Sequence, residues 1–488
     1  MDFLSFYARY QPEARAIQRI DGSVTYAELF FLVRQIAKKL RIAGVRPGQL
    51  VVSCFAEPLN DWVVTLALFH EATITCSNPC MGDVYAPIDP CLKVDWAISN
   101  RKLDGFPAEK TILIDVDWVN DARNLTGEIE AHRYPSEDSL CRLILTSGTT
   151  GQPKAAAFTV GTIHSRLKQS TSFFWSSEMC MMPLCTIGGF MTALLCLVKG
   201  RPFYLIIRAD NVLLAISRFG IASLAGSPNQ LNELVNAASA SSARLASLSE
   251  VTCSGGALSK TLLDRIRKHL CPNVISLYGS TEVGSISKSI CSHASDTGGE
   301  GIIAGYVLPD VQVEIVDESD NKSGPGAEGS IRIKNDSMVR EYYQNHEATA
   351  QCFRDGWFYP GDRGKLAKDG LLVLTGRDSE LINKGGSKID PVPIDQFMAD
   401  YAGVEDAAAF GLESKMGIHD VAAALVVQDD FDLETLHREL LGKFGAESCP
   451  FILFRIDRIP RNTMGKVMRS RLSQAFIGHV ESPWAARA

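Results

Sequence analysis

A short apolar stretch, Leu143 to Leu145, runs directly into Thr146-Ser147-Gly148-Thr149-Thr150-Gly151-Gln152-Pro153-Lys154. The glycines let the backbone bend so that its N–H groups converge on an anion. The hydroxyls add uncharged donors, and Lys154 supplies a positive charge. A loop of this composition is a cradle for a polyphosphate. The bland alternative is a Ser/Thr/Gly-rich surface turn, and the length of the run argues against it. It is not a Walker A loop, because GxxxxGK[ST] occurs nowhere in the chain. Gly299-Glu300-Gly301 sits in a polar stretch rather than between a strand and a helix, so it is no dinucleotide fingerprint. A GxSxG nucleophile elbow and an HExxH zinc pair are both missing, which sets hydrolytic chemistries aside.

A cradle of this kind needs a sheet to carry it, and the patterning supplies one. Between Asn211 and Gly279 helical and extended patterns alternate: LLAISRF, IASLAG, PNQLNELVNA, SEVTCSG, TLLDRIRKHL and VISLYG. That alternation predicts an α/β fold, a largely parallel sheet covered by helices with ligands at the carboxyl ends of the strands. Ser254-Gly255-Gly256 and Gly279-Ser280-Thr281-Glu282 both begin where a strand ends. From about residue 297 Gly, Asp and Ser clusters separate short β-rich runs, VQVEIVDE, SIRIKN and LLVLTGR, which predicts a β-rich subdomain over 297–376. The remainder reads as a smaller α/β unit, with a Gly-Gly hairpin, a helix opened by Pro391, strands AAAFGL and AAALVV, a helix LETLHRELLGKF and a strand FILFRI. The expected division is a large domain over 1–376 and a small mobile one over 377–488, with the junction near Arg377 to Ser379.

At 488 residues the chain is too long for one ordinary core. Its 46% hydrophobic and 22% charged residues have the balance of a soluble globular protein. A net charge of −7 speaks against a nucleic-acid surface built on basic excess. The 13 cysteines are scattered without a CxxC pair or a zinc spacing, which fits a reduced, cytoplasmic protein. No segment has the apolar length of a membrane span, and the N-terminus lacks the pattern of a secretory signal.

Taken in order, VTYAEL, YAPIDP (Tyr85 to Pro90), TSGTTGQPK, SGGA (Ser254 to Ala257), YGSTE (Tyr278 to Glu282), GWFYPGD (Gly356 to Asp362), GRDSELINKGG (from Gly376) and PRNTMGK (ending at Lys466) resemble one family over nearly the whole chain. This is the adenylate-forming superfamily of acyl- and aryl-CoA synthetases, nonribosomal-peptide adenylation domains and beetle luciferases. The resemblance implies ATP, Mg²⁺ and CoA, or the phosphopantetheine of a carrier protein acting in trans, as cosubstrates and cofactor. It implies that Tyr278 stacks on adenine against the Gly255-Gly256-Ala257 strand end, with Gly279 and Ser280 beside it. Thr281 would contact the α-phosphate, Glu282 would hold Mg²⁺, and Asp362 and Arg377 would hold the ribose. Lys466 would bridge the substrate carboxylate and the α-phosphate. Ser379 matches the hinge, and Gly385 and Gly386 the segment lining the thiol tunnel. Thr186, Ile187, Gly188, Ser227 and Gly284 match the acyl pocket.

The chain departs from the family at several of these places. Ser379 stands where Asp or Lys is common, Pro393 replaces an acid expected soon after Pro391, and Tyr359-Pro360 replaces Arg-Thr. Amino-acid adenylation domains carry an Asp at or beside the position of Ile187, where an ammonium group would otherwise be buried without a partner. The expected substrate is therefore an acid lacking an α-amino group, aryl or medium acyl, with Gly188 and Gly189 suggesting room beside Ile187. The implied activity is formation of an acyl-adenylate followed by a CoA thioester. Loading of a carrier protein, a luciferase-like oxidase and a nonenzymatic nucleotide sensor are the alternatives. The sensor reading conflicts with the presence of both Lys466 and Glu282.

Overall fold

The computed structural model describes residues 2–81, 84–86, 88–147, 153–173, 179–206, 208–241, 245–291, 302–377, 380–384, 387–413, 419–450, 452–461 and 467–476. Six strands make the first large sheet: β1 (Leu50–Cys54), β2 (Ile74–Ser77), β3 (Val94–Ser99), β4 (Ala108–Leu113), β5 (Leu140–Ser147) and β6 (Pro153–Thr159), in the order β6-β5-β2-β1-β3-β4. All neighbours are parallel except β5 and β6, which pair as an antiparallel hairpin. Every residue of β1 and β2 is buried, as continuous apolar runs require when helices cover both faces of a parallel sheet. Helix α1 (Pro58–His70) makes the crossover from β1 to β2, while α2 (Val160–Phe173) follows the hairpin directly.

The second sheet has twelve strands among the described residues. Its parallel half is β7 (Met179–Cys180), β8 (Ser223–Gly226), β9 (Glu250–Ser254) and β10 (Val274–Ser280). The connecting helices are α3 (Ile187–Val198) and α4 (Ala209–Phe219), then α5 (Pro228–Ser239), then α6 (Lys260–His269). The alternation expected between Asn211 and Gly279 is what the chain adopts. At β10 the sheet turns antiparallel and continues through β11 (Gly284–Ile290) and β12 (Ile302–Val307) to β15 (Leu371–Arg377), β14 (Asp362–Leu366) and β13 (Glu328–Lys334). The β-rich stretch is thus joined to the α/β part edge to edge, through Ser287 opposite Val307.

Beyond residue 380 the chain builds a sheet of its own from β16 (Val404–Glu413), β17 (His419–Val427) and β18 (Ile452–Arg455). Side chains alternate across it with the period of a strand. Ala407, Ala409, Ala423 and Leu425 pack under Ile394 and Met398 of helix α7 (Val392–Ala399) and Leu436 and Leu440 of α8 (Leu433–Ser448). Ala408, Phe410, Ala424 and Phe454 pack under Leu472 and Phe476 of α9 (Arg469–Phe476). The small alanines let helices close on both faces. Among the described residues no helix is long and apolar enough to cross a membrane.

Candidate active site

The strands that flank the Gly/Ser/Thr run, β5 and β6, pair antiparallel up to Ser147 and Pro153. Thr146 faces Lys154 and Ser147 faces Pro153 in register, and the Thr146 hydroxyl donates to the Lys154 carbonyl at 3.3 Å. Gly148, Thr149, Thr150 and Gly151 lie outside the described residues. The far side of β6 is covered by the segment 341–343, whose Tyr343 N–H donates to the Ala155 carbonyl at 2.8 Å. This places the Lys154 ammonium 5.2 Å from the centroid of the Tyr342 ring, within cation–π range. The Tyr342 hydroxyl donates to Glu282 Oε1 at 2.7 Å. Burial first, and then the Glu282 charge, push the Tyr342 phenol far up, so it stays a neutral donor. Glu282 itself is buried, in the turn between β10 and β11. Residues far apart in sequence, Lys154, Glu282 and Tyr342, therefore form one contiguous group.

A second group lies on the antiparallel part of the same sheet. Asp362, the first residue of β14, faces Arg377, the last of β15. Arg377 Nε donates to Asp362 Oδ1 at 2.6 Å, and the Tyr278 hydroxyl donates to Oδ2 at 2.5 Å. Asp362 is only 5% exposed, so both carboxylate oxygens are satisfied where water hardly reaches. Burial and then Asp362 push the Tyr278 phenol well up. Burial works to lower the Arg377 pKa, but Asp362 and Glu380 outweigh it and leave it above the ordinary value. Gly279 follows Tyr278 where the β10–β11 register shifts, and a Cβ there would collide with the Gly284 carbonyl. Ser280 ends the strand opposite Gly284, and Thr281 and Glu282 form the turn beyond it. The Ser280 hydroxyl accepts from Val283 N–H at 3.3 Å, which closes the turn. Just past the end of the neighbouring β9, Gly255 takes a φ of +87°, and Gly256 and Ala257 after it are exposed.

Of the five residues matched to an acyl pocket, Thr186, Ile187, Gly188 and Ser227 stand at helix starts and Gly284 at the start of β11. Thr186 caps α3: its hydroxyl donates to the Pro183 carbonyl at 2.7 Å and accepts from Gly189 N–H at 3.3 Å. Ser227 caps α5 in a reciprocal capping box with Gln230, whose amide also donates to the Met181 carbonyl at 2.6 Å. Ile187 is the first residue of α3. A Cβ on Gly188 would fall 2.5 Å from Met182 Cε, and one on Gly189 would strike the Pro183 carbonyl. The space on the Cβ side of both glycines is filled by residues 182 and 183, so the room expected beside Ile187 does not lie there. Gly284, with a φ of +88°, lies against Arg166.

A family model described as AMP-binding enzyme matches residues 89–343, a little over half of the chain. The chain belongs to the AMP-binding enzyme family. It is 24% identical to a 4-chlorobenzoate–CoA ligase of Arthrobacter sp over 98% of this chain and 95% of that protein. It is 27% identical to a feruloyl-CoA synthase of Amycolatopsis sp over 96% and 97%. Among solved structures it shares the fold of the o-succinylbenzoate CoA synthetase of Bacillus subtilis in complex with its acyl-adenylate intermediate. There the TM-score is 0.81 at 23% identity, covering 96% of this chain and 97% of that one. The same synthetase in complex with ATP and magnesium ion gives a TM-score of 0.80 at 22% identity, covering 96% and 98%.

Three features of this AMP-binding enzyme were not singled out by its motifs. Tyr342, which joins Lys154 to Glu282, sits in a run, REYYQN, that looks like an ordinary loop. Arg166 is buried on α2, where the helical pattern presents it as one more polar residue. Arg142 on β5 is 1% exposed and donates to Thr75, to Ser77 and to the Leu184 carbonyl at 3.3, 2.9 and 3.3 Å. The buried carboxylate of Asp61 accepts from the same Ser77 at 3.0 Å and from Ser53 at 2.5 Å. Burial pushes Asp61 up and Arg142 down, and each opposes the other's shift. A charge inside the apolar run LCRLIL was the available signal, since arginine is almost never buried unless paired.

Ser379, Gly385, Gly386 and Lys466 lie outside the described residues. Among the described residues of the C-terminal part, Arg469 donates to Asp395 at 2.7 Å, to Glu380 at 3.1 Å and to the Ala409 carbonyl at 2.8 Å. Asp395 thus supplies an acid near the place where Pro393 lacks one.

Proposed function

We propose that the protein activates a carboxylic acid with ATP as an acyl-adenylate and transfers the acyl group to CoA. The observation that carries this reading is the convergence of Lys154, Tyr342 and Glu282 at the base of the phosphate hairpin. The Tyr278–Asp362–Arg377 group, drawn from β10, β14 and β15 of the second sheet, supports it. A buried carboxylate with one oxygen held by a neutral phenol fits a hard cation that draws its other ligands from phosphate and water. In this reading Glu282 is the one side chain that holds the magnesium, with phosphate and water as the other ligands. Magnesium there would offset polyphosphate charge.

In the first step a substrate carboxylate oxygen attacks the α-phosphorus of ATP, the bond to the β-phosphate oxygen breaks, and pyrophosphate leaves. Lys154 stabilises the departing polyphosphate, and Thr281 and Lys466 would hold the α-phosphate as charge shifts onto it. Asp362 and Arg377 would fix the ribose, with Tyr278 on adenine. In the second step the thiolate of CoA attacks the acyl carbonyl, the C–O bond to phosphate breaks, and AMP leaves. The small unit from residue 377, turning about Ser379, would withdraw Lys466 and bring Gly385 and Gly386 to the thiol path. The substrate class is an aryl or medium acyl acid without an α-amino group, as the apolar Ile187 and the names of the ligase relatives suggest. The free cysteines among the described residues suit a reducing, cytoplasmic setting.

The test is product analysis by mass spectrometry with ATP, Mg²⁺, CoA and a panel of benzoates, cinnamates, medium-chain acids and amino acids. The reading expects AMP, pyrophosphate and an acyl-CoA from one of the non-amino acids. Adenylate without any CoA product would move the acceptor to a carrier protein in trans, and oxygen uptake would move the chemistry to an oxidase.

A further inference from the structure

Arg166 lies on α2 and is 3% exposed, with its guanidinium reaching two distant segments of chain. Nε donates to the Ser337 carbonyl and Nη2 to the Glu282 carbonyl, each at 2.9 Å. The guanidinium carbon sits 4.6 Å from the centroid of the Phe158 ring on β6. The two segments that it joins also touch each other directly. Val339 N–H donates to the Glu282 carbonyl at 2.8 Å, and the Asn335 amide donates to the Val283 carbonyl at 3.1 Å. One segment carries Thr281 and Glu282, and the other carries Tyr342.

Packing alone does not call for a cation here, because a methionine would fill the volume over Phe158 without the cost of burying a charge. The planar fork of the arginine instead holds two backbone carbonyls, those of Ser337 and Glu282, which an apolar side chain of the same size could not do. We infer that Arg166 is a positioning residue: it pins the turn of Thr281 and Glu282 to the segment 337–342, so that the Glu282 carboxylate meets Tyr342 and the magnesium–polyphosphate in a set geometry. The inference rests on the proposed reading of Glu282 as the metal-holding residue.

The experiment is acid-dependent pyrophosphate exchange titrated with Mg²⁺ for the wild type, Arg166→Met, Arg166→Lys and Glu282→Gln, with thermal unfolding of each. Groups that orient a metal-binding carboxylate affect metal affinity by roughly tenfold or more, so Arg166→Met is expected to need about ten times more Mg²⁺ for half-maximal exchange. Its kcat falls while the KM for the acid stays put, and Arg166→Lys, which keeps the charge, recovers part of the loss. A folded Arg166→Met with the wild-type Mg²⁺ curve overturns the inference, as does a loss that raises the acid KM equally and is not eased by lysine. Should Arg166→Met fail to fold, Arg166→Lys decides: a shifted Mg²⁺ curve at unchanged melting temperature supports the inference, and an unshifted one overturns it. Glu282→Gln separates the two layers. If its Mg²⁺ curve matches wild type, the reading of Glu282 falls; if it shifts while the Arg166 variants do not, only the positioning role falls.

Discussion

In the proposed function Asp362 holds the nucleotide, and in the structure both of its oxygens are engaged, one by Tyr278 and one by Arg377. Hydrogen bonds to a charged group contribute about 1.5–3 kcal/mol each, so Asp362→Asn should raise the KM for ATP by ~10-fold or more while the acid KM stays unchanged. Initial-rate kinetics of pyrophosphate exchange measure both, and an unchanged ATP KM would remove Asp362 from the nucleotide site. Tyr278, Glu282, Asp362 and Arg377 were legible in the sequence because each sits inside a recognisable run of neighbours. Arg166, Arg142 and Tyr342 were not. Their importance comes from what faces them across the fold, and a polar residue on a helix or strand reads alike whether it points to water or to a buried carbonyl.

At the scale of elements, the patterning named the strands and helices between Asn211 and Gly279 well, since their apolar periods differ and each is closed by a Gly, Ser or Pro. What it did not name are the caps. Thr186 and Ser227, matched to an acyl pocket by resemblance, also cap helices whose first turns fit closely against residues 181–183. Loss of an N-cap costs about 1 kcal/mol, so Ser227→Ala should lower unfolding free energy by that amount in urea. Gly189→Ala is a sharper case. The added methyl meets the Pro183 carbonyl, and overpacking of this kind costs about 1–3 kcal/mol, read as a lower denaturation midpoint. A Gly189→Ala protein as stable as wild type would mean that the start of α3 has slack that the geometry does not show.

At the scale of the whole molecule, the large sheet and the C-terminal unit meet where Asp390 presses on Gly376, so closely that a Cβ there would collide with the carboxyl group. Burial raises the Asp390 pKa from 3.8 to about 6, and Oδ2 has no partner among the described residues. The folded chain therefore keeps this proton to higher pH than the unfolded chain. Stability is lost as pH rises from 3.8 to about 6, and the loss stands in full above that. Asp390→Asn should stabilise the protein by up to ~3 kcal/mol near neutral pH, with a melting-temperature gain that grows as pH rises from 3.8 to about 6 and is level above that. A gain independent of pH would show that the carboxylate charge is not what costs stability. The adenylate-forming fold itself was readable from the order of motifs along the chain, whereas the contact of Asp390 with Gly376 was not, because it depends on how two distant backbone segments approach each other. The central claim is AMP-forming activation of an acid, and acid-dependent exchange of labelled pyrophosphate into ATP, without any thiol, tests it most directly. The proposed chemistry predicts exchange with an aryl or medium acyl acid that is abolished by Lys466→Ala while ATP binding persists; exchange that is absent across the panel, or unaffected by Lys466→Ala, would contradict it.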